Sequence, residues 1–143
     1  MCIRDRVIKN IREEVIYQKN FEITPKIIHL GEKIEVGNFS IVFESVETAK
    51  SYKWHDADPG YKLVIIKAKV KNKGIEEESL WIGEEVLEVD KGYRYEPEFD
   101  FYFNSLRPEE EKTDEAVFEI LETEPTKLYA EIEDVNIVLL LRR

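Results

Sequence analysis

The chain has 143 residues, 43% of them hydrophobic and 36% charged, with a formal net charge of −10 at pH 7. That length and balance suit one globular domain with a core of its own and exclude a disordered chain. The excess of 31 Asp and Glu over 21 Lys and Arg opposes nucleic acid as a partner, because a polyanion is held by a basic face that releases its counterions; an anionic membrane surface is disfavoured for the same reason.

The opening stretch, MCIRDR, holds the only cysteine and the only methionine. It resembles the translated end of a sequencing-library transposon, so residues 1–6 are read as a non-native scar and set aside from fold reasoning. With Cys2 discounted no cysteine remains, which excludes a disulfide framework and a thiolate zinc site. Residues 7–26 are read as a tether or linker. Ile8, Ile11 and Val15 fall at helical spacing in VIKNIREEVIYQ, but the run is short and Pro25 discourages its continuation. A true amino terminus carrying a signal peptide or membrane anchor is expected upstream of Val7.

From residue 27 the pattern has period two. In FSIVFES, Phe39, Ile41 and Phe43 share one face while Ser40 and Glu44 share the other. In YKLVIIKAKVKN, Val64, Ile66, Ala68 and Val70 point one way and Lys67, Lys69 and Lys71 the other, as a sheet with one buried and one wet face requires. EAVFEIL and KLYAEIE repeat the alternation, and VNIVLLL, apolar on both faces, is predicted to be the most enclosed strand. Turns fall at Gly37-Asn38, Asn72-Lys73-Gly74, Asp90-Lys91-Gly92 and Pro125. Short strands at this spacing predict an all-β sandwich or barrel over residues 27–143. Its core is drawn from Phe39, Ile41, Phe43, Val64, Ile66, Ala68, Val70, Phe118, Ile120, Leu128, Ile137 and Leu139.

Candidate chemistry is sparse. His29 and His55 are the only histidines, so neither a Ser-His-Asp nor a Cys-His arrangement has material to build on. KSYKWHDADPGY exceeds the usual hairpin connection and is a candidate functional loop. It offers Trp54 and His55, with Asp90 from a neighbouring turn, as binding residues, and Asp56 and Asp58 as metal ligands. Asp-x-Asp followed by Gly shares part of a calcium loop, yet the bidentate glutamate and the other oxygen ligands of that pattern are missing. If consecutive strands run antiparallel, Asp56, Asp58, Asp90, Glu122 and Glu124 gather at one end of the sandwich. A hard cation such as calcium or a basic partner would relieve their repulsion; alternatively these loops are simply solvated, surface acids being common. YRYEPEFDFYFNSL is the most aromatic stretch, read either as a partner surface or, preferably, as rings that cover an open edge or end of the core.

Four pieces of sequence, in this order and spacing, resemble a prokaryotic domain family: GEKIEVGNFSIVFESVE, the strand ending KVKNKG, LEVDKGYRYEP, and LRPEEEKTDEAVFEI. Members of that family share the immunoglobulin-like sandwich of the immunoprotective extracellular protein, and the family has also carried the label telomeric repeat-binding factor 2. The chain departs from the family at Pro108-Glu109-Glu110, Thr113-Asp114 and Leu121, positions that shape turns rather than chemistry. The resemblance implies an immunoglobulin-like antiparallel β-sandwich, exported or lipid-anchored outside the cytoplasmic membrane, with no catalytic residues to carry over. The chain is thus expected to be a non-enzymatic extracytoplasmic binding or adhesion module for a protein or cell-envelope ligand, with no cofactor beyond the calcium considered above. Membrane association would come only through an upstream anchor. A cation-dependent binding domain or regulatory accessory of a membrane complex is the alternative, and an unrecognised hydrolase the third.

Overall fold

The structure, a computed structural model, describes residues 25–141. The scar read at 1–6 and the tether read at 7–26 lie outside the described residues, save for Pro25 and Lys26. From there the chain runs through β1 (Lys26–His29), β2 (Lys33–Val36), β3 (Phe39–Ala49), β4 (Ser51–Tyr52), β5 (His55–Asp56), β6 (Tyr61–Asn72) and β7 (Glu78–Trp81). It continues through β8 (Gly83–Val89), β9 (Arg94–Tyr95), β10 (Tyr102–Leu106), β11 (Glu111–Leu121), β12 (Pro125–Ile132) and β13 (Val135–Leu140). One sheet has the order β11-β6-β3-β2 and the other β1-β13-β12-β8-β9, with β7 and β10 forming a separate ribbon. This is the expected all-β, immunoglobulin-like antiparallel β-sandwich, with one exception: β1 and β13 run parallel. Parallel neighbours cannot be joined by a tight turn, and these two stand at opposite ends of the described chain.

Alternation fixes the facing. Val64, Ile66, Ala68 and Val70 are wholly buried while Lys67 is exposed, and all twelve residues assigned to the core from sequence are buried. β6 lies between β3 and β11, paired with both along most of its length. The β3 register slips between Phe43 and Ser45, a bulge that inserts Glu44 and reverses the facing parity. Phe43 pairs with Ala68 before it and Val46 with Ile66 after it. Glu44 is left to meet Lys69 at 3.2 Å. In β13, Ile137, Val138 and Leu139 are buried in succession, as a strand flanked by β1 and β12 and apolar on both faces should be. At the end of the sandwich away from residues 50–61, the wholly buried Asn72 ties the β6–β7 connection to the end of β10. Its Nδ2 donates to the carbonyls of Glu76 and Leu106, each at 2.8 Å, and its Oδ1 accepts from the Gly74 N–H at 2.8 Å.

Glu85 is the acid that the alternation does not anticipate. The strand bends at Glu84, where φ is 50°, and Glu85 is then buried with only 3% of its surface exposed. Its Oε2 accepts the Phe101 N–H at 3.1 Å, and its Oε1 has no partner. Burial pushes this carboxyl up to about 9, the Phe101 hydrogen bond opposing and the charges of Asp100 and Asp114 adding to the rise. Glu85 is therefore protonated at neutral pH.

Two outcomes follow from this packing. Val70→Asp buries an unpaired charge and should cost more than about 3 kcal/mol in unfolding free energy, whereas Lys67→Asp, exposed opposite Glu115, should cost less than about 1 kcal/mol. Equal losses in urea titrations would contradict the facing. For Glu85 the folded state keeps a proton that the unfolded chain releases above its ordinary value of 4.5. The contribution is full below that pH and is lost as pH rises towards about 9. Wild-type stability should lose on the order of 1 kcal/mol per pH unit across that window relative to Glu85→Gln, and parallel stability profiles for the two proteins would contradict it.

Candidate functional site

Strand β11 is an edge of its sheet, and an edge leaves backbone groups unpaired. A strap at residues 96–101 closes it. The Glu98 and Phe99 N–H groups donate to the Val117 carbonyl at 2.7 and 3.3 Å, and the Val117 N–H donates to the Phe99 carbonyl at 3.0 Å. Ala116, Phe118 and Ile120 point into the core, so alternation sends Glu115, Val117 and Glu119 out of the opposite face. Val117 is nonetheless wholly buried. Its cover is the strap together with the segment between β3 and β6.

That segment, read from sequence as a loop, folds into a small hairpin. Ser51 pairs with Asp56 and Tyr52 with His55 around a turn in which Lys53 adopts a φ of 56°. The hairpin is clamped to β11 through two glutamates. Tyr52 donates its hydroxyl to Glu115 at 2.6 Å, His55 Nε2 lies 3.0 Å from Glu119 Oε1, and the Asp58 N–H donates to Glu119 Oε2 at 2.8 Å. Burial and then the Glu115 hydrogen bond push the Tyr52 phenol up to about 12, so the donor persists across the neutral range. Phe99 sits against both aromatic residues of the hairpin, 6.0 Å from the Tyr52 ring and 5.9 Å edge-on to His55.

The residues singled out from sequence are distributed unevenly. Trp54 stands at the hairpin tip with 87% of its surface exposed, and His55 is half-buried at the base. Asp56 on the same hairpin and Asp58 just after it are both exposed. Asp90 lies on a turn after β8 and reaches this end through its N–H, which donates to the Glu124 carbonyl at 3.0 Å. Glu122 is drawn to Lys50, whose hydrogen bond and charge hold its carboxyl below the usual range. Among the described residues, the three metal-ligating atoms that lie within 4.8 Å of one another belong to His55, Glu98 and Glu119. Asp56, Asp58 and Asp90 are not among them.

Glu98, Glu115 and Glu119 were missed from sequence, whereas Phe99 belongs to the aromatic stretch read there as covering an open edge, and it does so on β11. The alternation of EAVFEIL does place both β11 glutamates outward, and an outward Val117 between them signals that this face is covered. No local pattern names the cover, because the strap and the hairpin arrive from other parts of the chain.

Solved structures share the fold. An uncharacterised β-sandwich protein from Clostridium difficile is 17% identical, covering 85% of this chain and 97% of its own, with a TM-score of 0.56. The yjhA protein from Bacillus subtilis is 13% identical over 80% of this chain and 99% of its own, with a TM-score of 0.63. MPT63, a secreted protein from Mycobacterium tuberculosis, is 11% identical over 81% and 97%, with a TM-score of 0.60. At these identities the likeness shows the β-sandwich fold alone. No protein-family model and no curated protein matches the chain.

The clamp has a measurable weight. Tyr52→Phe should lower the unfolding free energy by about 1 kcal/mol. Tyr129→Phe, which removes a longer 3.3 Å bond to a Glu88 carboxylate already held by Arg94, should cost less than about 0.5 kcal/mol. Indistinguishable unfolding midpoints for Tyr52→Phe and wild type would show that the hairpin is not held by that bond.

Proposed function

We propose that this domain is a non-enzymatic binding or adhesion module that works outside the cytoplasmic membrane, tethered through an upstream segment, and that the β4–β5 hairpin is the face it presents to a protein or cell-envelope ligand. The observation that carries this reading is Trp54, a large aromatic 87% exposed at the tip of a hairpin whose base is fixed by Glu115, Glu119 and Phe99. An aromatic held out on a rigid support loses little entropy on binding and is the residue type over-represented where interfaces concentrate their energy. Leu121 and Tyr61 end the neighbouring strands at the same edge, with Leu121 also exposed. Support for the location comes from the sequence resemblance to an exported family and from the fold shared with the secreted MPT63. Among the described residues no helix is long and apolar enough to cross a membrane. The alternative, a cation-dependent domain, draws on the His55, Glu98 and Glu119 cluster.

The test is saturable binding of the fluorescently labelled domain to isolated bacterial cell envelopes. Wild type should bind, and Trp54→Ala should bind at least about tenfold more weakly with an unchanged unfolding midpoint, since so exposed a side chain contributes little to folding. Equal binding by the two proteins, or no saturable binding by wild type, would contradict the proposed face.

A further inference from the structure

We infer that His55, Glu98 and Glu119 form a binding site for a divalent transition metal, zinc being the ion that suits the donor set best. The site goes beyond the partner-binding reading and does not depend on it. Its three donors come from three separate pieces of chain: His55 from β5, Glu98 from the strap and Glu119 from β11. Each is already positioned by other contacts. The Glu98 backbone is tied to Val117 by a 2.7 Å hydrogen bond, and the His55 ring is oriented edge-on against Phe99. Glu119 Oε2 accepts the Asp58 N–H, which leaves Oε1 to face His55. A hydrogen bond that occupies one carboxylate oxygen and aims the other is the outer-shell support that metal ligands use.

The distances come close to an ion's requirements. Ligands held about 2.0–2.1 Å from a tetrahedral zinc stand about 3.3–3.4 Å from one another, so the 3.0 Å contact between His55 Nε2 and Glu119 Oε1 need open by only a few tenths of an ångström, with the Nε2 lone pair turned to the ion. The Glu98 carboxylate is within 4.8 Å of both, and because its residue is exposed its side chain can rotate inward the short remaining distance. Burial is graded: 13% of the Glu119 side chain and 28% of the His55 side chain are accessible, so an ion would sit half-shielded with one side open to water or to a donor from a partner. Charge also favours a dication. Among the described residues neither Glu98 nor Glu119 is paired with a lysine or an arginine, and His55 is the basic partner of Glu119. Imidazole nitrogen with two carboxylates is a borderline donor set that suits zinc and its neighbours, whereas calcium takes oxygen donors almost exclusively.

Isothermal titration of zinc chloride into chelator-treated protein tests this, with Cys2→Ser as the parent chain so that the lone thiol cannot contribute. One zinc ion should bind per chain, and zinc should raise the unfolding midpoint, because a ligand for the folded state alone stabilises it. Glu98→Gln changes an exposed side chain and should leave the fold intact while weakening zinc at least about tenfold; His55→Ala should weaken it further, and His29→Ala not at all. Calcium should bind far more weakly than zinc. No zinc heat in the parent, unchanged affinity in both Glu98→Gln and His55→Ala, or calcium binding as tight as zinc would each overturn the site.

Discussion

The pairing of the strap at residues 96–101 with β11 is the constraint on which this end of the molecule depends. Three backbone hydrogen bonds between Glu98, Phe99 and Val117 close an edge that would otherwise stand open. The same three bonds fix where Glu98 and Phe99 place their side chains. Phe99 becomes the platform for Tyr52 and His55, and Glu98 is brought beside Glu119. Two residues further on, the strap delivers the Phe101 N–H to Glu85 and then the Tyr102 N–H to Asp114 at 2.8 Å. Remove the strap and the hairpin loses its aromatic support, Glu85 loses its donor, and the three-residue cluster loses one member.

Two glutamates beside the strap illustrate opposite solutions to the cost of an acid away from water. Glu85 is deep in the interior, where an ionised carboxylate without full compensation is costly, and burial holds it protonated. Glu119 lies at the margin, where it sits 3.0 Å from His55 Nε2 and accepts a backbone amide. The first is a structural device that supplies a partner for a strap amide. The second joins the hairpin to the sheet and, with His55 and Glu98, provides donors for an ion. On the outer face of the other sheet the Glu88 carboxylate is met twice by Arg94, at 3.1 and 3.0 Å, and Arg94 lies 4.9 Å from the Tyr129 ring. That cluster is paired internally except at Arg94 Nη1, which is buried without a hydrogen-bond partner.

Much of the sandwich was legible in the sequence because alternation is a local signal. Val64 to Val70 announce a buried face and Lys67 to Lys71 a wet one, and the structure follows that division. The bulge at Glu44 escaped notice because a parity change needs only one extra residue in a long strand. The segment at 50–61 stood out by its length and composition and was read as a loop rather than a hairpin, and Trp54 and His55 were found with it. The ligand partners of His55 were not, because Glu98 and Glu119 are 43 and 64 residues away in the chain. Among 31 acidic residues nothing local distinguishes those two; tertiary pairing of the strap and β11 does. Calcium at Asp56 and Asp58 was suggested by their spacing and by the acids expected to converge at this end; the structure brings their neighbour His55 together with Glu98 and Glu119 from other elements.

Amide hydrogen exchange at Val117 tests the central role of the strap most directly. The Val117 N–H points to the open side of β11, and its partner is the Phe99 carbonyl. If the strap closes this edge, the Val117 amide should be protected to nearly the same degree as amides of β6, the strand enclosed between β3 and β11. Exchange at Val117 as fast as at the exposed Lys53 of the hairpin turn would show that the edge is open, and the support of the hairpin and its ligand cluster would fall with it.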